Sequence, residues 1–505
     1  MPGQTDYSMA DAPNSWQSRW EQWDVSRKME QRELDMSLFA PLRFPSVSFV
    51  AAMLFVALPS GAAPLISPAA GSDAILALRS DTQGELRLKY HVERDNHPPE
   101  IVSIGVARDY HYKNSAIGLW INDYRLRRIF RLTADSQLIN DSMYADVWYR
   151  RAELENRVAI TDALKKAGVD AGKGFAAQDP FWAETELGLV TPNFPRPDLH
   201  RVESKGRIQW SLGADQVVAI RYRPEPVPEA VRAGLRRWWP SMAPMHPEIV
   251  DELAVSGRVP EELWVKQMVN AGKSFQTVHW SLIQAEWIEQ ARYPLPAGRT
   301  AVPTESRGAY PQIFSTLSSS VADQRQPQSQ DAYRARTESA IDHGAGLEAM
   351  VWIIEMQLAA GVKSTCAAPS IADTCALAAR AGPLAKADSR TAIAFAAHSP
   401  DAAQRPQFDS LPNAYVLRLL WATRPPGKDV KYEDAEHDLL MALQTSPIAN
   451  FCKDTGDFYA HAWHPFAAWQ VWDLGRLMAG HRSGDLLDAV DALEADVVRR
   501  EPAFF

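Results

Sequence analysis

Between residues 73 and 225 the chain alternates apolar and polar positions with a period of two. In ELRLKYHVER, Leu86, Leu88, Tyr90 and Val92 interleave with Arg87, Lys89, His91 and Glu93. Successive side chains of a strand point to opposite faces, so this pattern predicts a sheet with one buried and one solvated side. In RIQWSLGADQVVAIRY, Ile208, Trp210 and Leu212 lead into a Gly213-Ala214-Asp215 turn, and Val218, Ile220 and Tyr222 lead out of it. So short a turn predicts an antiparallel hairpin. YRRAELENRVAITDALKKAG, lying between these stretches, has helical spacing and stops at Gly168. The expected fold class is α+β: an N-terminal antiparallel sheet domain with an inserted helix, then an all-α region ending in repeat-like helical hairpins.

Residues 228–296 read as a helical segment. PEELWVKQMVNAG opens on a proline, carries Glu261 and Glu262 in its first turn and stops at Gly272, and SFQTVHWSLIQAEWIEQARYP lines Val278, Leu282, Ala285 and Ile288 along one side. Residues 297–335 hold six serines, five glutamines and three prolines with few large apolar side chains. That composition predicts a flexible linker. Residues 340–505 read as helix-rich.

An internal period runs through this last region. Ala435, Leu439, Ala442 and Pro447 recur 33 positions later as Ala468, Trp472, Gly475 and Gly480, and NFCKDTGDFYAHAW sets Gly456 one turn ahead of Tyr459. Small residues let helices approach while a large one fills the groove between them. Over residues 415–480 the chain resembles the tetratricopeptide repeat family. It departs from that pattern at Pro425, Pro426 and Gly427, at Thr455 and at Gly480. The resemblance implies a helical solenoid with a concave peptide-binding groove. The side chains it would point into the groove are Asn450, Lys453, Asp457 and His461; the alternative is a merely solvated helix face.

The run from Phe49 to Leu58 in FVAAMLFVALPSGAAP, or from 46 to 58 with Ser46, Val47 and Ser48, is too short for the roughly 20 apolar residues that a bilayer core requires. It has the length of a signal-peptide core followed by small residues, and a cut after Ala69 is preferred to one that leaves Pro64 at the scissile bond. Residues 1–69 are therefore expected to be a dispensable extension plus signal, with Met36 as the start. The alternative is an uncleaved inner-membrane anchor facing the periplasm, and Arg27, Lys28, Arg32 and Arg43 ahead of the run suit both. Either reading places the body in the periplasm or outside the cell, with membrane contact only through this segment.

A hydrophobic content of 46% and a charged content of 23% are those of a globular protein, and a net charge of -9 argues against nucleic acid as a partner. In an oxidising compartment Cys366 and Cys375 would close a small loop as a disulfide, contributing ~2.5–3 kcal/mol; the other reading is two buried thiols, and Cys452 stays unpaired.

Motifs for chemistry are weak. Asp457, His461 and His464 offer at most two groups on one helical face, because Pro465 pushes His464 into the turn; a zinc site needs three or four converging ligands. GAGLEA follows no strand, and AGKS lacks the first glycine of a phosphate loop. Arg125, Arg127, Arg128 and Arg131 in YRLRRIFRL suit either an anionic polymer or lipid headgroups, or the guarding of an edge strand. The tryptophans at 238, 239, 280, 287, 469 and 472 fall at helix spacings that suit core packing; the alternative is carbohydrate stacking. No cofactor, metal or catalytic residue is expected. The expectation is an exported binding or scaffold protein with a protein or peptide partner; the alternative is an envelope hydrolase with its site between the sheet and the helices.

Overall fold

The computed structural model describes residues 65–505 apart from 96, 134, 169–178, 192–196, 270–273, 324–328, 361–371, 398–431, 446 and 480–483. The signal-like run and Cys366 lie outside the described residues. The chain is α+β, built on a 12-stranded sheet. One antiparallel meander holds β1 (Gln83–Arg94), β2 (His97–Ala107), β3 (Tyr110–Ser115), β4 (Gly118–Asp123), β5 (Arg128–Leu132) and β6 (Leu138–Ser142). A second holds β7 (Leu199–Ser204), β8 (Arg207–Leu212), β9 (Asp215–Tyr222), β10 (Pro260–Val269) and β11 (Ser274–Ala291). They join where β1 pairs antiparallel with β11, and β12 (Ala301–Val302) returns to lie parallel to β6.

The alternation in β1 does what the pattern predicts: Leu86, Leu88, Tyr90 and Val92 are buried while Arg87 and Lys89 are exposed. The predicted hairpin forms as β8 and β9, with Ile208 opposite Ile220, Trp210 opposite Val218, and Gly213 at φ 59° in the turn. The inserted helix, α2 (Met143–Lys166), starts six residues before its sequence signal, where the Ser142 hydroxyl accepts a hydrogen bond from the Tyr144 amide. A short α1 (Ser72–Leu78) precedes the sheet and packs through Ile75 against one face with Tyr110, Ile121 and Tyr293. The opposite face is covered by α3 (Pro180–Leu187), α4 (Glu229–Met242) and α5 (Pro247–Ser256), whose Trp238, Trp239, Ile249 and Leu253 close over Tyr90, Ile104 and Trp280.

Two expectations are corrected here. Residues 228–296 are helical only through α5; both stretches read as later helices are the strands β10 and β11. In β11 an extra residue near Ile283 breaks the register, since Gln284 faces Lys89 but Leu282 faces Tyr90. That bulge converts a spacing of two into Val278, Trp280, Leu282, Ala285, which imitates a helical stripe. Residues 297–335 are not a linker either. They contain β12, α6 (Tyr310–Asp323) and the start of α7 (Gln330–Asp342), and α6 buries Tyr310, Ile313, Phe314 and Leu317. Its serines cost little because Ser318 and Ser320 donate their hydroxyls to the carbonyls one turn back, at 2.6 and 2.8 Å.

The helical layer continues as α8 (Gly346–Ala360), α9 (Ala372–Ala397), α10 (Tyr432–Thr445), α11 (Ala449–His461), α12 (Pro465–Ala479) and α13 (Gly484–Arg500). In the α11–α12 hairpin any side chain at Gly456 would collide with the Trp472 indole, and a Cβ on Gly475 would stand 2.6 Å from that of Cys452. Small residues at these two places set how closely the helices approach. The layer meets the sheet at β6, where the Gln470 side-chain amide donates to Asn140 O at 3.2 Å, and at Arg128, which reaches Asp473 at 2.6 Å.

Candidate functional site

The four positions implied by the repeat resemblance fall on α11, and the structure binds most of them within the helix. Lys453 forms an ion pair with Asp457 one turn on, and the Lys453 carbonyl accepts from Trp472 Nε1 at 3.2 Å. His461 Nδ1 lies 2.6 Å from the Asp457 carbonyl and so donates to it. The Asn450 side chain lies outside the described part of the chain. Lys453 and Asp457 are half-buried, so α11 presents an internally paired charge row.

Cys375 on α9 is disulfide-bonded, while Cys452 is free and buried. Among the described residues no group of three or more histidines, cysteines and carboxylates converges as a metal site.

The four arginines each pair within the chain, Arg125 at the surface and Arg128 buried, and β5 is an internal strand, which overturns the edge-guarding reading. Arg125 pairs with Asp81 at 3.1 Å, and Arg127 donates to the Phe505 carbonyl at 2.7 Å. Arg128 holds Asp473, and Arg131 holds Asp141. Trp280, read as helical, is a strand residue stacked edge-on against Tyr90.

A different constellation forms where the sheet meets the helices. Pairing across β3, β4, β5 and β6 sets Lys113, Trp120, Arg131 and Ile139 side by side on one face. The Arg131 guanidinium lies 5.5 Å from the Trp120 ring centre and 6.0 Å from that of Phe466, the second residue of α12, and Arg131 Nη2 donates to Thr304 Oγ1 at 3.2 Å. Its partner Asp141 is fully enclosed; burial pushes that carboxyl upward while Arg131 and Arg128 pull it down.

Next along the chain from Thr304, Glu305 Oε1 lies 2.7 Å from His464 Nδ1. A carboxylate only accepts, so the proton sits on Nδ1. That hydrogen bond holds the His464 pKa above its ordinary value, against the effect of burial. Trp463, at φ 67°, turns the chain so that His464 stands at the head of α12. Behind it Glu436 on α10 accepts from the Tyr459 hydroxyl at 2.8 Å and from the Ala309 amide at 3.0 Å. The site therefore gathers a half-exposed His–Glu pair and a cation between two aromatic rings from well-separated segments, while Lys113, next in the strand row, sends its ammonium away from them to the Trp280 ring at 5.3 Å.

Sequence reading placed His464 correctly in a turn and missed Glu305 and Trp120. Glu305 sat in a stretch taken for linker, and Trp120 and Arg131 become neighbours only through strand register.

A second His–Glu pair, this one buried, is structural. His246 Nε2 donates to Glu184 at 3.0 Å, while His246 Nδ1 caps α5 by accepting from the Glu248 amide. Phe181 stacks on the imidazole at 5.0 Å, so α3 and α5 are fixed to each other.

Compared with protein-family models, with characterised proteins and with solved structures, the chain matches none.

Proposed function

We propose that the protein is exported and acts as a binding or scaffold protein of the bacterial cell envelope, meeting a protein or peptide partner along α11. The observation that carries this reading is the locked α11–α12 hairpin: with Gly456 under Trp472 and Gly475 against Cys452, α11 is a rigid platform for the Lys453–Asp457 row. Because the two charges already satisfy each other, a partner must exchange their bond for its own. That favours reversible over tight association. A photo-crosslinker at position 461, one turn beyond Asp457 with the Lys453–Asp457 row intact, should trap a discrete product in native cells, and Asp457→Lys should abolish it; no product, or one indifferent to that reversal, counts against the reading. Export is tested separately by sequencing the mature N-terminus, expected after Ala69. A chain still carrying residues ahead of Met36 would contradict a cleaved signal.

One observation favours a hydrolase instead. Glu305 fixes the His464 proton on Nδ1, which leaves Nε2 as the ring's basic nitrogen, the arrangement of a general base. In that reading, turnover of nitrophenyl esters or phosphates should disappear in His464→Gln and persist in Lys453→Glu.

A further inference from the structure

We propose that Ser281, His279 and Glu93 form a nucleophile–base–acid triad that cleaves carboxylic esters, with Ser281 carrying the acyl group. The triad shares no residue with α11 or with the Glu305–His464 pair, so it stands or falls apart from both readings above.

Strand register builds the site. In β11, Val278 and Trp280 point into the core, so His279 and Ser281, two apart, share the opposite face of the sheet. Pairing with β1 sets Glu93 directly across from His279, and His91 across from Ser281. The Ser281 hydroxyl lies 3.3 Å from His279 Nε2, and Glu93 Oε2 lies 3.6 Å from His279 Nδ1, within ion-pair reach. A carboxylate favours the proton on the ring nitrogen that faces it, which leaves Nε2 to accept from the hydroxyl. That is the order of contacts by which a base activates a serine.

Further contacts hold the base and the acid in place. From the neighbouring strand β10, Trp264 stacks on the His279 ring at 4.5 Å with 9° between the planes, and the Arg207 guanidinium lies 4.3 Å from the indole centre. Glu93 Oε1 lies 3.6 Å from His91 Nδ1, so the carboxylate stands between two imidazoles. Ser281 and His279 are half-buried, whereas Glu93 is 57% exposed. Water therefore weakens the hold of Glu93, and its share of the rate is the smallest of the three.

As Ser281 Oγ bonds to the ester carbonyl carbon, its proton passes to His279 Nε2; the bond from that carbon to the alcohol oxygen then breaks, and the alcohol leaves with the proton. Water attacks the acyl-serine by the same route, releasing the acid and restoring the hydroxyl. Ser281 and His279 are the catalytic residues, and Glu93 and Trp264 position the base.

The test uses the full-length protein with nitrophenyl acetate as the ester and a biotinylated fluorophosphonate as the label. A burst of about one nitrophenolate per chain is expected, with a fluorophosphonate adduct that peptide mapping places on Ser281. Ser281→Ala should abolish both, and His279→Gln should slow both by about a hundredfold or more. Glu93→Gln should lower kcat by about tenfold with KM within about twofold, the split expected of a group that orients the base, and Glu93→Asp should recover part of the loss. Unchanged thermal melting of the variants keeps the result from being a folding effect. An unlabelled Ser281, or labelling indifferent to His279→Gln, overturns the proposal. Ester turnover with no adduct on Ser281 overturns it as well, and assigns that activity to the Glu305–His464 pair.

Discussion

Arg128 on β5 and Asp473 on α12 meet at 2.6 Å with each side chain only 5% exposed, bolting the sheet to the helical layer. Asp473 is shared with Arg476 at 3.1 Å, and Arg476 also holds Glu494 on α13 at 3.0 Å. Removing Arg128 leaves the enclosed Asp473 with Arg476 as its remaining cation. Arg128→Ala is therefore expected to destabilise by about 3 kcal/mol in urea unfolding, the low end for a broken buried pair, whereas replacing both residues by apolar ones of similar size should cost clearly less.

Gly456→Ala tests the close approach of α11 and α12. In an exposed helix interior this change gains about 1 kcal/mol. Here the new methyl runs into the Trp472 indole, so the sign should reverse, with a loss of about 1–3 kcal/mol from overpacking. A raised melting temperature would show that α12 can slide away.

Two groups at the helical layer tie stability to pH in the same direction. Burial pushes the Glu494 carboxyl from 4.5 up to about 7, so the folded chain holds this proton more tightly than the unfolded one. Its contribution is complete below pH 4.5 and is lost as pH climbs through about 7. His464, raised above 6.5 by Glu305, adds stability below that value that fades as pH rises through its folded pKa. Melting temperatures of Glu494→Gln and His464→Gln should therefore fall less steeply than wild type between roughly pH 5 and 8.

Cys452 is enclosed, and burial drives its thiol pKa far up. A protonated, inaccessible thiol is a poor nucleophile. Iodoacetamide should leave it unmodified in the folded protein and label it fully in urea; rapid native labelling would mean that α11 and α12 open readily.

Legibility in the sequence depended on whether an element's period survived local irregularity. β1, β8 and β9 carry an unbroken alternation, and the stretch from Leu86 to Val92 identified its buried face directly. β11 did not, because one inserted residue beside Leu282 shifts every later apolar position out of phase. In α6 the stripe Tyr310, Ile313, Phe314, Leu317 was present, but the serines around it suggested a linker. The site was harder still. His464 was visible as a turn residue, whereas Glu305 reaches it only because β12 and α6 bring that segment to the head of α12.

The meeting of β1 with β11 also sets an order of events during synthesis. The first meander can close on itself early, yet the outer side of β1 lacks its neighbour until everything through β10 has been made. Until then a row of unsatisfied amides and carbonyls stays available to any passing strand, and joining it requires closure of a very long loop. A nascent chain of this design gains from being kept extended by a chaperone until its latter half arrives.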